Sequence, residues 1–234
     1  MDVWLDGHWL ACGPNEVGKT TLVRRLMREV ERVAILDTKL SGDFDDWLGI
    51  RHTVQPLVVS ADKGRIVYHA PPGANWQDDA INDFFAACWM RGNVTVVVDE
   101  AVHACTAGGI PPMYRGCLRS GRGRGIQVVT LAQRLVGLHN DALSESWTYV
   151  LFSPITGTDP AKAREFGVGE GALAWLADDR RRLHDFLVWD RRLHRVAYEY
   201  EAARAERRGS ENGYIRPAQE GPAGAEASAE AGAC

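Results

Sequence analysis

The segment GPNEVGKT, Gly13 to Thr20, decides the fold of this chain of 234 residues. It matches the pattern GxxxxGK[ST] in full, a glycine-rich turn that joins a buried strand to the first turn of a helix. The apolar run WLAC precedes it. Apolar residues at helical spacing follow it, at Leu22, Val23, Leu26, Met27 and Val30. Both flanks therefore have the structure that a phosphate-binding loop requires.

Each part of this loop has a role in binding a nucleoside triphosphate. Backbone N–H groups of the turn and of the helix start surround phosphate oxygens. Lys19 reaches the β and γ phosphates, and the Thr20 hydroxyl ligates Mg²⁺. A glycine turn with a purely structural role does not account for Lys19 and Thr20 together. The candidate ATP-binding residues are Gly13, Pro14, Asn15, Glu16, Val17, Gly18, Lys19, Thr20 and Thr21.

Two acids end a second apolar run, VTVVVDEA, Val94 to Ala101. A buried strand has no structural need for adjacent carboxylates at its end, although a solvated turn is the alternative reading. We expect Asp99 to hold Mg²⁺ through its water shell and Glu100 to orient or deprotonate the attacking water. A carboxylate at the second position favours hydrolysis, and hence an ATPase, over a kinase.

Apolar runs alternate with helical patterns along the chain, which is typical of an α/β protein with a mostly parallel sheet and helices on both faces. The runs are WLAC, VAIL, RIVYHA, VTVVV, IQVVTL and YVLF. We expect one helix from about Trp76 to Met90. Another should follow Pro111 and Pro112, because proline suits a first helical turn.

The pattern changes after residue 154. Two shorter helical segments, TDPAKAREF and GEGALAWLADDRRR, precede the runs DFLVWD and HRVAYEY, which predict a small hairpin at the sheet edge. From Gly209 onward the composition turns to Gly, Ala, Glu, Ser and Pro, which cannot bury enough apolar surface to order a segment. The sequence therefore predicts an ATPase domain over 1–208 and a flexible tail over 209–234.

The charge balance limits the partners. A formal net charge of -4 lacks the basic excess of many nucleic-acid binders, so any such contact must come from a local patch. No run approaches the roughly 18 apolar residues of a membrane span. The amino terminus carries acids where a signal peptide carries Lys or Arg. We expect a soluble, cytoplasmic protein.

A stretch without acids runs from Ala101 to Asn140 and includes SGRGRGIQVVTLAQR. Gln133 directly follows the expected strand. It would reach the γ-phosphate, because the carboxyl ends of parallel strands meet along one rim of the sheet. Arginines before that strand lie on the opposite rim or its flank, where they can serve a neighbouring subunit or a polyanion. The arginines of the stretch are Arg115, Arg119, Arg122, Arg124 and Arg134.

GPNEVGKTT, VVVDE and RGRGIQVVTLAQR, in this order, resemble the motifs of the FtsK–HerA superfamily of P-loop DNA translocases, which includes the genome-packaging ATPases of tectivirus-like, membrane-containing phages. ILDTK resembles that superfamily's second strand, which commonly ends in an acid near the nucleotide. The resemblance covers about residues 8 to 155. It implies a RecA/FtsK-like P-loop NTPase fold.

The resemblance also implies roles for single residues. Lys19 and Thr20 serve the phosphates and Mg²⁺, Asp99 and Glu100 are the magnesium and water acids, and Gln133 is the γ-phosphate sensor. Arg122 matches the arginine of the family's R-x-x-G-I element and is implied as an arginine finger that acts in trans. Arg119 is the second candidate for that role.

At the level of function, the resemblance implies an ATP-driven translocase of double-stranded DNA that packages a viral genome. Its partners would be non-specific duplex DNA, further copies in a homo-oligomeric ring such as a hexamer, and a viral portal or vertex protein, in the host cytoplasm or the virion. Candidate DNA contacts are Arg119–Arg124, Arg180–Arg182 and Arg191–Arg192. Two alternatives stay open: a filamentous-phage assembly ATPase of the zonular-occludens-toxin type, and a nucleotide-gated assembly adaptor without translocation.

Overall fold

A computed structural model describes residues 7–40, 42–44, 46–47, 49–61, 64–178, 184–200 and 215–217. Within these ranges the chain forms ten strands and eight α-helices. The strands are β1 (His8–Cys12), β2 (Val33–Asp37), β3 (Ile50–Thr53), β4 (Arg65–His69), β5 (Val94–Asp99), β6 (Ile126–Ala132), β7 (Ser146–Phe152), β8 (Phe186–Asp190), β9 (Arg195–Tyr200) and β10 (Ile215–Pro217). The helices are α1 (Lys19–Leu26), α2 (Val58–Ala61), α3 (Asp79–Arg91), α4 (Ala101–Ala104), α5 (Pro112–Ser120), α6 (Asn140–Ser144), α7 (Asp159–Glu165) and α8 (Glu170–Leu176).

All ten strands belong to one sheet, in the order β10-β9-β8-β7-β1-β6-β5-β2-β4-β3. The seven strands from β7 to β3 in that order run parallel. On the β7 side, β8, β9 and β10 continue the sheet in antiparallel pairing. The predicted α/β fold with a mostly parallel sheet is confirmed, and so is the hairpin, which consists of β8 and β9.

Apolar side chains bury both faces of this sheet. On one face, α3 and α5 pack against each other and the strands, and the rings of Phe85 and Tyr114 stack with centroids 4.1 Å apart. On the other face, α1 packs through Leu22 and Val23. Every residue of β5 is buried, as expected for a parallel strand covered on both sides.

Three features differ from the sequence prediction. The third helix begins at Asp79 rather than near Trp76. The strand IRHT, Ile50–Thr53, was missed because it lies at the sheet edge, where its middle residues are exposed and no apolar run forms. Within the predicted tail, Ile215–Pro217 pairs with β9. The boundary at 208 stays a prediction, since the remaining tail residues lie outside the described ranges.

The topology defines two rims of the sheet. We call the edge at which β1, β2, β5 and β6 end the carboxyl rim, and the edge at which they begin the amino rim. The strand neighbours bring Cys12 beside Ala132, and Asp37 beside Asp99, at the carboxyl rim. Along the described ranges, no helix is long and apolar enough to cross a membrane.

Candidate nucleotide site

Two glycines give the loop after β1 its shape. A Cβ atom on Gly13 would lie 2.5 Å from Cβ of Phe152, so only glycine lets the chain pass β7 this closely. Gly18 has a φ of 94°, in the left-handed region that favours glycine, and precedes the first residue of α1. The predicted glycine positions therefore serve a close approach and a helix start, as the motif requires.

Lys19 folds back over the loop. Its Nζ donates to the carbonyl oxygens of Gly13, at 2.7 Å, and Pro14, at 2.5 Å. Burial lowers the pKa of this lysine, and Glu100 and Asp99 oppose that shift by attraction. A buried ammonium that rests on backbone carbonyls has stronger partners to gain, because charge-assisted bonds to phosphate are about twice as strong as bonds to neutral groups.

Asp99 ends β5 with a buried carboxylate. Its Oδ2 has no hydrogen-bond partner among the described residues, and 1% of the residue is exposed. Burial raises its pKa to about 6, and Asp37, Asp43 and Glu100 add to the shift while Lys39 opposes it. A buried oxygen without a partner in the protein can accept a ligand. Asp99 and the Thr20 hydroxyl at the start of α1 therefore fit a hydrated Mg²⁺.

Glu100 follows directly and holds two partners on one oxygen. Its Oε2 accepts from Nε2 of Gln133 at 2.9 Å and lies 2.9 Å from Nζ of Lys39. The residue has a φ of 56°, so its backbone adopts a left-handed conformation uncommon for glutamate, and 3% of it is exposed. The structure thus brings together the water acid and the sensor that the sequence predicted.

Lys39 is a member of this site that the sequence reasoning missed. It follows β2, the strand beside β5, and its position is fixed by Asp37, whose Oδ1 accepts from the backbone N–H groups of Lys39 and Leu40 at 3.1 and 2.9 Å. The hydroxyl of Thr38 donates to the carbonyl of Asp99 at 2.9 Å. The segment ILDTK carried the signal, but only the strand order shows which acid Lys39 meets.

A cleft of about 270 Å³ opens beside the loop on its β7 side. Its walls are Gly13–Asn15, Gln133–Arg134 and Pro154–Gly157. Arg134 ties two of the walls together, since its Nε donates to Asp159 at 3.1 Å and its Nη2 donates to Thr158 at 3.3 Å. No sequence pattern indicates this cleft, because its walls meet only through the strand order β7-β1-β6.

The two candidate finger arginines lie away from these residues. Arg122 precedes β6, a strand of seven residues that spans roughly 20 Å, so it stands at the amino rim. Its guanidinium stacks over the indole of Trp147, 3.5 Å from the ring centroid. Arg119 donates to Asp141 at 2.6 Å. Neither side chain is therefore placed to serve the nucleotide site of its own subunit.

The structure describes Arg191 of the remaining arginine clusters and does not describe Arg180–Arg182. Arg191 donates to the carbonyl oxygens of Leu143, Ser144 and Ser146, at 3.2, 2.6 and 3.0 Å. It therefore holds the end of α6 against the start of β7. The Arg180–Arg182 cluster lies outside the described residues, and its suggested contact with DNA stays a prediction.

The chain has the fold of the P-loop NTPases. No family model and no curated protein matches its sequence. Its structure is similar to that of the genome-packaging NTPase B204 from Sulfolobus turreted icosahedral virus 2, both with ATPγS (14% identity, 84% of this chain, 96% of that chain, TM-score 0.67) and with AMPPCP (14%, 82%, 96%, 0.69). It is also similar to B204, the DNA-packaging ATPase from Sulfolobus turreted icosahedral virus (15%, 82%, 95%, 0.64). At this identity the likeness establishes the fold.

Proposed function

We propose that this chain hydrolyses ATP and uses the energy to move double-stranded DNA, as a viral genome-packaging ATPase of FtsK–HerA type. The observation that carries the proposal is the meeting of Glu100 and Gln133 at the carboxyl rim, beside a complete phosphate-binding loop and the unpartnered Asp99 oxygen. The fold shared with B204, a protein described as a DNA-packaging ATPase, supports the link to packaging.

The residues at the carboxyl rim have separate roles in ATP hydrolysis. Lys19 exchanges the carbonyls of Gly13 and Pro14 for phosphate oxygens. A water oxygen then attacks the γ-phosphorus, the bond to the β–γ bridging oxygen breaks, and Glu100 accepts the proton of the water. Gln133 donates to Glu100 and orients its carboxylate. Thr20 and Asp99 would hold Mg²⁺, which would neutralise charge on the phosphates.

The strand order also gives the bound nucleotide a direction. Asp99 and Glu100 follow β5 and lie on the β5 side of the loop, so the γ-phosphate points that way. The adenosine then extends to the β7 side, where the cleft between Gly13–Asn15 and Pro154–Gly157 has about 270 Å³. The apolar walls formed by Pro154 and Ile155 suit the face of a purine ring.

A second subunit completes the site in this account. The developing negative charge on the γ-phosphoryl group calls for a further cation, which contributes about 10³- to 10⁵-fold in rate in related reactions. Because Arg122 stands at the amino rim, it serves the site of a neighbour rather than its own. Head-to-tail contacts of this kind form a ring when the rotation between neighbours closes.

DNA stimulation of ATP hydrolysis tests the function. Turnover by the purified chain is measured with no DNA, with long duplex DNA and with short duplexes, at several salt concentrations. We expect long duplex to raise turnover, and the effect to fall steeply with salt because the contacts go to phosphates. The Lys19→Ala variant is the control for a contaminating ATPase. ATP hydrolysis that no DNA alters would favour the nucleotide-gated adaptor instead.

A further inference from the structure

Lys39 meets the water acid across neighbouring strands. Its Nζ lies 2.9 Å from Oε2 of Glu100, a residue that is 3% exposed, while 28% of the Lys39 side chain is exposed. The hydrogen bond to Glu100 raises the pKa of Lys39 against the opposing effect of burial, so the side chain is a cation. A partly exposed ammonium is thus held by a buried carboxyl group.

This contact occupies one oxygen of the Glu100 carboxylate. Oε2 already accepts from Lys39 and Gln133. A water molecule that this oxygen is to orient competes with both donors for it. Departure of Lys39 would therefore open a place for the attacking water on Oε2.

Bound ATP would compete with Glu100 for the Lys39 side chain. The γ-phosphate brings several negative charges and strong acceptor oxygens next to Glu100, where it competes for the Lys39 ammonium. Lys39 already lies in the field of the phosphate loop, since its positive charge contributes to the lowered pKa of Lys19. ADP has no group at this position and leaves Lys39 on the carboxylate.

We propose that Lys39 is a γ-phosphate switch: it holds Glu100 in the protein without ATP, and it moves to a γ-phosphoryl oxygen when ATP binds, which frees Glu100 to activate water. This proposal rests on the proposed ATPase function. It adds a residue through which the γ-phosphate of ATP controls whether Glu100 can act on water. Lys39 is thus a positioning residue for Glu100 and a ligand-reading residue for ATP.

The loop conformation around Lys39 does not depend on the Lys39 side chain. Asp37 fixes the backbone of Lys39 and Leu40 through N–H groups, which remain whatever side chain stands at position 39. Methionine keeps the apolar stem of lysine and removes the charge. The Lys39→Met variant should therefore fold with the same loop, and Lys39→Arg restores the cation.

Binding of two nucleotides by these variants tests the switch. Affinities for AMPPCP and for ADP, each with Mg²⁺, are measured by titration calorimetry on the parent protein, Lys39→Met, Lys39→Arg and the control Lys162→Met, which removes a partly exposed ammonium paired with Glu165. A hydrogen bond to a charged group contributes about 1.5–3 kcal/mol, so Lys39→Met should bind AMPPCP roughly 10- to 100-fold more weakly. ADP affinity should stay within about twofold, and Lys39→Arg should recover most of the AMPPCP affinity.

The outcomes separate the inference from the function. Equal losses of AMPPCP and ADP affinity in Lys39→Met, or no loss of either, would overturn the switch while the ATPase proposal stands. Faster ATP turnover by Lys39→Met at saturating ATP would also overturn it, because Lys39 would then act only as a brake. A parent protein that binds neither nucleotide would overturn the proposed function itself.

Discussion

The two rims of the sheet carry charged residues of opposite kinds, held in opposite ways. At the carboxyl rim, burial raises the pKa of Asp99 to about 6, and one of its oxygens has no partner among the described residues. At the amino rim, burial lowers the pKa of His8 to about 4, and both ring nitrogens have partners, the carbonyl of Leu118 and the N–H of Val128. Asp99 is thus open to a ligand, whereas both nitrogens of His8 already have partners within the protein.

The arginines of the amino rim follow the same rule. Arg191 binds three carbonyl oxygens, Nε of Arg124 donates to the carbonyl of Trp89 at 3.1 Å, and Arg32 donates to that of Gly92 at 3.2 Å. These bonds go to carbonyl oxygens near the ends of helices, because the last carbonyl groups of a helix have no hydrogen-bond partner within the helix. A high density of arginine is therefore a weak sign of DNA contact in this protein, and Arg122, stacked on an indole, is the better candidate for a partner.

The largest difference between the rims should be seen in ATP turnover. Lys19→Ala should abolish hydrolysis and weaken nucleotide binding, because it removes the cation that grips the phosphates. Glu100→Gln should bind ATP normally and lower kcat by about 10³-fold, since a general base typically contributes 10²- to 10⁴-fold.

Glu165→Gln is the matched control for the second substitution, because Glu165 is an exposed acid paired with Lys162. It should keep both binding and turnover. Hydrolysis by Glu100→Gln at the parental rate would mean that another group activates water.

Acid should unfold the protein through the amino rim. His8 is neutral in the fold, with a pKa lowered to about 4 by burial, so the unfolded chain binds its proton more readily. The His8 contribution to stability is therefore lost as pH falls below about 6.5, by up to ~3 kcal/mol near pH 4, while protonation of Asp99, whose pKa is raised to about 6, acts in the opposite direction.

Thermal unfolding between pH 7.5 and 4 measures this effect in the parent, in His8→Gln and in the exposed-histidine control His103→Gln. His8→Gln should flatten the pH dependence, while His103→Gln should follow the parent. An unchanged slope in His8→Gln would assign the acid sensitivity to another group.

The smallest effect is a gain in stability at the carboxyl rim. Asp99→Asn removes a buried carboxylate with an unpartnered oxygen, which lies among the charges of Asp37, Asp43 and Glu100. We expect the ligand-free protein to gain about 1 kcal/mol, or roughly 2–4 °C in Tm, while ATP hydrolysis is lost. A lower Tm would mean that the carboxylate stabilises the fold, against its assignment as a metal ligand.

Different parts of this molecule were predictable for different reasons. The segment GPNEVGKT predicts the phosphate-binding loop, and VTVVVDE predicts a buried strand that ends in two acids. These features were predictable because local sequence patterns determine them. The ion pair of Lys39 with Glu100 depends on β2 lying beside β5, and the cleft depends on β7 lying beside β1. Such neighbours are set by packing over the whole sheet, so the sequence pattern does not reveal them. The carbonyl contacts of Arg191 belong to the same class.

We propose that the amino rim of one subunit completes the carboxyl rim of the next, and mixed subunits test this proposal directly. Arg122→Ala subunits keep the phosphate loop, and Lys19→Ala subunits keep the arginine. Each variant alone should be nearly inactive, whereas a mixture should regain ATP turnover at the boundaries that combine an intact loop with an intact arginine. No recovery in mixtures that demonstrably co-assemble, or full activity of Arg122→Ala alone, would contradict the role of Arg122 and leave Arg119 as the candidate.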